Sequence, residues 1–419
     1  MYDVLVVGGG AAGLMAAASA VAGGANTAII EKKHRPGIKL SITGKGRCNL
    51  TNVATVQQLV AHLPGNGRFL YSALARFGSH DTIRFFEGLG VPTKVERGGR
   101  VFPRSDRALD VVEALERYLR QCGVSIRLSS RVEALMVREG TAVGVVADGK
   151  PVSCRACVVA TGGASYPTTG STGDGYLLAR EVGHTIVPVR PSLVPLESPT
   201  GWVPTLKGLS LRLVEAALEV ETGDGRCELE REFGEMLFTH YGVSGPIILT
   251  LSRRAAEELR RGMAVTIAID LKPALSPEQL DRRLQRDFGR YINRQFRNAL
   301  DDLLPRSLIP VIVELSGVAP DRPVNQITRE ERTRLAGLLK RLEIPISNVR
   351  PLAEAIVTAG GVATSELEPR TMASRLVKGL YFAGEVVDVD GYTGGYNLQA
   401  AFAMGHVAGE AAADYARSL

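Results

Sequence analysis

Cysteine is scarce in this chain: five residues in 419, an odd number. That excludes the disulfide scaffold of a small secreted protein and fits a reducing, cytoplasmic setting. Long apolar runs are also missing. No stretch of about 18 apolar residues occurs, so no membrane-spanning helix is expected. The opening MYDVLVVGGG has no basic leader and no cleavage site, and it reads as a first strand. Lysine makes up only ten of the 50 basic residues; the rest are arginine. HExxH, the Walker A loop and the serine nucleophile elbow are absent, so those chemistries have no foothold. Cys154 and Cys157 form a C-x-x-C, but no second pair completes a zinc site, and the motif runs into an apolar strand. No metal is expected. Tandem repeats and low-complexity tracts are lacking too.

What is present is the ordinary balance of a globular protein, 45% hydrophobic and 22% charged, with length for about two to three domains. The net charge of +6 permits an anionic partner. The first 31 residues carry the clearest organisation. DVLVVG is a short buried-strand run, GGGAAG a turn, LMAAASAVAGG a helix ending in glycines, and NTAIIE a second strand. This order predicts an α/β, Rossmann-like doubly wound sheet. Near Pro188 the texture changes: VPVRPSLVPLESP holds four prolines and reads as a crossover out of the first domain. Residues 191–275 alternate like strands. Ser276-Pro277-Glu278 then starts a helix, with serine as N-cap and proline in the first turn. The predicted division is 1–190 with 351–419, a β-rich insertion of 191–275 with 343–350, and a basic helical subdomain of 276–342.

Gly8-Gly9-Gly10-Ala11-Ala12-Gly13 is a G-x-G-x-x-G that follows a strand and opens a helix, and Glu31 ends the next strand. In that context it predicts a dinucleotide site. Gly8 suits the tight turn, Gly10 lets backbone approach a pyrophosphate, and Gly13 lets helix and sheet pack closely. Ala11 and Ala12 line the helix start, where partial positive charge favours phosphate. Glu31 would accept from ribose hydroxyls, with Lys32 beside it. The C-terminal segment argues for FAD. GLYFAGEVVD resembles a second FAD motif through Gly384 and Glu385. GGYNLQ (Gly395, Tyr396, Asn397, Leu398) opens a helix whose N-terminus suits the edge of a flavin. VVATGG, with Ala160, Thr161 and Gly162, resembles the strand-turn that supports the dinucleotide in two-domain flavoproteins, in which the position of Val132 lies against adenine.

ITGKGRCNLTN (42–52) sets Thr43, Gly44, Arg47, Cys48 and Asn49 in one cofactor loop. Together with KLSITGKGRCNLTN, GGRVFPRSDRALDVVEAL, VVATGGASYPTTGSTGDGY, EMLFTHYGVSGP, AIVTAGGV and GLYFAGEVVDVDGYTGGYNLQAA, it resembles the YhiN-type flavoproteins, the BaiN/RdsA-like NAD(P)/FAD-dependent oxidoreductases. The resemblance runs nearly end to end. It implies a split FAD domain with an inserted β-barrel-like domain and a small helical domain. It also implies several reactions: dihydrouridine synthesis in ribosomal RNA, enone reduction in bile-acid intermediates, or aminoacetone oxidation. Fold does not choose among them.

Reduction of an activated C=C bond needs a hydride and a proton donor within reach. Cys48 is one candidate, or else it packs beneath the flavin while Arg47 binds pyrophosphate. Tyr396 is a second, although stacking near the ring is the simpler role. His240 of FTHYGVSGP is a third, or else it holds a loop; Tyr166 is comparable. Arg283, Arg286, Arg290, Arg294 and Arg297 recur at three- or four-residue steps, which predicts one helix face able to meet RNA phosphates. A solvated face is the plain alternative. No second G-x-G-x-x-G marks a stable nicotinamide site, so NAD(P)H is expected to bind transiently. The reading is a flavoenzyme reducing a C=C bond, with rRNA uridine the leading substrate. A small-molecule enone reductase or amine oxidase, or a non-enzymatic flavin-binding protein, stands as the alternative.

Overall fold

The fold is taken from a computed structural model of the chain that describes residues 1–223 and 225–419. By contacts it divides into two compact units, Met1–Ser192 with Leu352–Leu419, and Leu193–Pro351.

The first unit is built on β1 (Tyr2–Val7), α1 (Ala11–Ala22) and β2 (Thr27–Ile30). Every residue of β2 and the last four of β1 are buried, as the apolar runs require of strands covered on both faces. Further along come α2 (Ala108–Gln121), β3 (Ser125–Arg127), β4 (Val132–Arg138), β5 (Thr141–Ala147), β6 (Lys150–Val159), β7 (Leu380–Phe382) and the long α3 (Tyr396–Arg417). The sheet order is β3-β2-β1-β6-β5-β4, with β7 also on β6. The pairs β1–β2, β2–β3, β1–β6 and β6–β7 are parallel, and the β4–β5–β6 meander is antiparallel. Val7 faces Ile30 on one side and Val159 on the other, so the carboxyl ends of three strands finish together. Ligands of open α/β sheets bind outside such ends.

Helix α3 crosses α1 through small residues. A Cβ on Gly405 would lie 2.3 Å from the Ala12 carbonyl oxygen, and one on Gly409 2.1 Å from that of Ala16. These glycines let two backbones touch, which draws the C-terminal segment onto the first βα unit. The proline-rich crossover contains the strand Ile186–Ser192, antiparallel to Val357–Val362.

The second unit holds a seven-stranded antiparallel sheet whose longest hairpin joins Ser210–Thr222 to Gly225–Phe238. The helix Pro246–Arg260 and the helices of 277–340 share one apolar core with it. The helix Pro277–Arg290 has the expected start: Ser276 Oγ accepts from the Gln279 N–H, and Gln279 answers the Ser276 N–H.

Its end corrects one expectation. The helix stops at Arg290 instead of carrying the arginine spacing on through Arg297. Gly289 and β-branched Ile292 weaken it. The chain also finds other partners: the Phe296 N–H donates to the Arg322 carbonyl at 2.8 Å, and the Val324 N–H to that of Arg294 at 3.0 Å. Arg294 and Arg297 therefore lie beyond the helix, and the five arginines do not form a single helical face. Among the described residues no helix is long and apolar enough to cross a membrane.

Candidate active site

At the ends of β1, β2 and β6 the backbone is arranged around three glycines. Gly8 adopts φ +103°, and its N–H donates to the Ile30 carbonyl at 2.9 Å. A Cβ there would lie 2.6 Å from the Ala160 carbonyl oxygen. A Cβ on Gly13 would lie 1.9 Å from the Gly8 oxygen, so helix and turn meet only because it is glycine. Gly10 is different: a Cβ there meets nothing within 4 Å. Gly10 is the N-cap of α1, no side chain caps it, and no acid sits in the first turn. The bare amide end of α1 is thus open where an anion would lie.

Glu31 Oε2 accepts from the Gly9 N–H at 2.7 Å and Oε1 from the Lys33 N–H at 2.8 Å, which leaves lone pairs on a fixed carboxylate. Lys32 turns to Thr172 and Asp174, at 2.5 and 2.8 Å. Val132 is buried at the start of β4. Ala160, Thr161 and Gly162 follow β6, with the Ala160 N–H on the Val7 carbonyl.

Gly384, at φ +82°, has room for no side chain, because a Cβ would press on that of Ala12 at 2.7 Å. Glu385 is a hub. Oε2 accepts from Lys39 Nζ at 2.8 Å; Oε1 accepts from the Thr358 N–H at 2.7 Å and Ser165 Oγ at 3.0 Å. Lys39 and Thr358 escaped sequence reasoning. Their signal is pairing across the chain, which spacing does not carry.

The cofactor loop begins as the helix Ile38–Gly46 but leaves helical dihedrals at Thr43, Gly44 and Lys45, the last two left-handed. Thr43 Oγ1 donates to the Leu40 carbonyl. Arg47 pairs with Glu96 and Asp106 and lies 4.1 Å from the Phe102 ring centroid. Those partners, Glu96 first, raise its pKa further. Cys48 is wholly buried at φ +60°, and burial pushes its thiol up to about 12. A nearby guanidinium therefore does not make it a thiolate.

Asn49 Oδ1 is buried with no partner among the described residues, and a Cβ on Gly395 would come within 3.0 Å of it. A buried amide oxygen without a donor is costly, so its position asks for a ligand N–H. Gly395 caps α3 at φ +102°, again without a side-chain cap.

Tyr396 is buried, its pKa raised by burial, and stacks on His62 with ring centroids 4.3 Å apart. Asn397 braces the preceding turn: Oδ1 accepts from the Gly391 N–H, and Nδ2 donates to the Gly391 and Tyr392 carbonyls. Leu398 is half-buried. One turn on, buried Gln399 accepts from Thr51 and Thr82 and donates to the Phe77 carbonyl. His62 and Gln399 are further residues that the motifs did not reveal.

Tyr166 is half-buried at φ +50°. His240 is exposed in the second unit, edge-on to Tyr241. Arg283 pairs with Asp287 at 2.6 Å, Arg290 with Asp302 at 3.6 Å, and Arg297 with Gln295. Arg294 lies over Tyr291, and Arg286 is exposed. Cys154 and Cys157 are free thiols buried within β6. Among the described residues no group of His, Cys, Asp or Glu could hold a metal ion.

The chain matches the family model described as HI0933-like protein Rossmann domain over residues 2–411. It is 37% identical over 394 residues to a protein of Clostridium scindens named 3-dehydro-bile acid delta(4,6)-reductase, covering 94% of each chain. It is 33% identical over 398 residues to the Escherichia coli K12 ribosomal RNA dihydrouridine synthase, covering 95% of this chain and 94% of that one. Among solved structures it resembles 3-ketosteroid delta1-dehydrogenase from Sterolibacterium denitrificans (TM-score 0.54, 14% identity, all of both chains). It also resembles E. coli quinol fumarate reductase (TM-score 0.53, 20% identity, all of this chain and 70% of that one).

Glycine turn, bare helix ends and orphaned amide fit a dinucleotide, and with these comparisons they define a Rossmann-type FAD-dependent oxidoreductase. More narrowly, the chain belongs to the HI0933-like family.

Proposed function

We propose that the protein reduces a carbon–carbon double bond conjugated to a carbonyl, with a uridine of ribosomal RNA the leading substrate. One observation carries the reaction class: the relatives' names describe hydrogen addition to such a bond, in a bile acid and in RNA, and differ only in the molecule that bears it. FAD, when bound, supplies the hydride chemistry, and NAD(P)H is its proposed transient reductant.

The chain's own residues bind and orient. Gly8, Gly10, Ala11, Ala12 and Gly13 would hold the pyrophosphate at the bare end of α1, Glu31 a ribose, and Val132 the adenine. Asn49 Oδ1 would accept a flavin N–H, while Gly395 and the amides that open α3 face the opposite polar edge. Arg47, already paired, would steady the loop and add positive field. Cys48 would pack beneath the loop.

The exposed arginines at 286, 290, 294 and 297 favour a polyanion over a neutral steroid. The 37% identity to a bile-acid reductase supports a second reading, a small-molecule enone reductase. A cytoplasmic location is proposed with this reading; an rRNA substrate and free thiols at all five cysteines support a reducing compartment.

Mass analysis of ribosomal RNA from a strain lacking the gene tests the leading reading. Loss of one dihydrouridine is expected, and unchanged dihydrouridine removes RNA as substrate. Anaerobic reduction by NADH or NADPH, then reoxidation by an enone, tests the second.

A further inference from the structure

We propose that His62 is the proton donor of the double-bond reduction, a role that rests on the reading above. His62 closes the short helix Val56–Ala61, and its ring lies flat on Tyr396, 10° from parallel. Tyr392 meets the same ring edge-on at 6.3 Å, and the Tyr392 N–H donates to the His62 carbonyl at 3.0 Å. Both backbone and ring are therefore fixed at the opening of α3, next to the Gly395 and Asn49 site.

Nδ1 lies 2.7 Å from the Gln58 carbonyl oxygen. A carbonyl only accepts, so Nδ1 keeps its hydrogen in the neutral and the charged ring alike. Protons then enter and leave through Nε2 alone, which has no hydrogen-bond partner among the described residues. The residue is half-buried.

The other donors fare worse. Cys48 is sealed off and holds its proton too tightly. His184 is engaged by Glu366 and Ser374, and His406 by Ser19. Tyr396, Tyr166 and His240 are the remaining competitors; of these Tyr396 stacks directly on His62.

In the step, the β-carbon of the conjugated acceptor takes a hydride, which reduced FAD would supply when bound and a dihydronicotinamide would replenish. The α-carbon takes the Nε2 proton, the imidazolium becomes imidazole, and water restores the proton. General acids contribute about 10²–10⁴-fold.

The test uses full-length holoenzyme with His62→Phe, which keeps a ring against Tyr396 but has no proton to give, and Tyr396→Phe beside it. Acceptors are a 3-oxo-4-ene steroid and a uridine-containing rRNA fragment. His62→Phe is expected to keep its FAD content and KM within a few-fold, while reoxidation of reduced enzyme slows about 10²–10⁴-fold. Independently of turnover, ¹⁵N spectra of the apo-protein should show the neutral His62 ring protonated on Nδ1. An Nε2–H ring overturns the proposal. So does wild-type reoxidation in His62→Phe, or a loss confined to Tyr396→Phe. If wild type is reoxidised by no conjugated acceptor, the reductase reading falls and the role with it; if wild type turns over and His62→Phe matches it, only the role falls.

Discussion

The Lys39 ammonium lies 2.8 Å from Glu385 Oε2, an ion pair that spans 346 positions and ties the N-terminal loop to the C-terminal glycine-acid step. Both side chains are about four-fifths buried, 22% and 20% exposed, so water screens them only in part. Glu385→Ala would strand the Lys39 charge and leave the Thr358 N–H unpaired. We expect a loss of about 1.5–3 kcal/mol, the scale of hydrogen bonds to charged groups, and weaker FAD retention. Glu385→Gln should cost less. Thermal melting and FAD titration measure both, and a wild-type melt for Glu385→Ala would contradict the brace.

The thiols give a second prediction. Cys122 and Cys227 are exposed, and Cys48, Cys154 and Cys157 are buried. A thiol reagent should therefore label two sites in the native protein and the rest only on unfolding. Cys48→Ala should keep its FAD and turn over within a few-fold of wild type. Its cost should be about 1–2 kcal/mol, because the lost sulfur leaves a small cavity. A hundredfold loss of turnover in a variant that still binds FAD would return Cys48 to the chemistry.

Neighbouring glycines separate folding from binding. Gly13→Ala puts a methyl 1.9 Å from a carbonyl oxygen, so α1 must shift and the protein should melt several degrees lower. Gly10→Ala meets no protein atom. It should fold like wild type and lose FAD affinity, because its methyl enters the space proposed for phosphate. Equal melting of the two apo-proteins would refute this division.

The same contrast shows how much could be read beforehand. The turn, helix and strand of residues 2–30 follow from local rules: an apolar run, then glycines at fixed offsets, then another apolar run. Tight turns depend on neighbours in sequence, so a motif reports them. Arg47 could not be read so, because Glu96 and Asp106 lie 49 and 59 residues on, and only the fold brings them near. The stacking of His62 on Tyr396 was hidden for the same reason. The arginine spacing misled because a 3.6-residue period persists in sequence after the chain has left the helix at Arg290. There the backbone bonds to residues 322–324 outweigh local propensity.

Acid should weaken the fold through histidine. His184 has its side chain fully buried between Glu366 and Ser374, and burial lowers its pKa below the usual 6.5, with Glu366 opposing. His406 is lowered by burial as well. The sign follows: below about pH 6.5 the unfolded chain binds protons that the folded one refuses, so stability falls as pH drops. Above that value the term vanishes. Asp388, raised by burial and by Asp390, acts in the opposite sense only at lower pH, near the carboxylate range. Melting temperature should decline from pH 7 to 5.5, and less steeply in His184→Gln. A flat profile would mean that the two imidazoles take up protons as readily in the fold as in the unfolded chain.

The last prediction concerns the arginines. Arg286, Arg290, Arg294 and Arg297 are exposed, and the Asp302 carboxylate is 3.6 Å from Arg290 and itself 46% exposed, so it neutralises little. If these side chains meet RNA phosphates, each contact releases counterions, and the slope of log K against log salt is about −0.7 per phosphate on a single strand. Arg286→Glu, Arg290→Glu and Arg294→Glu together should flatten that slope by about 2 and weaken an rRNA fragment at least tenfold, while FAD content stays. Affinity for a neutral steroid should not change. The comparison tests the surface without measuring turnover: a triple variant that binds RNA with the wild-type slope and affinity removes this surface from recognition, and with it the observation that favours a polyanion over the bile-acid-like acceptor.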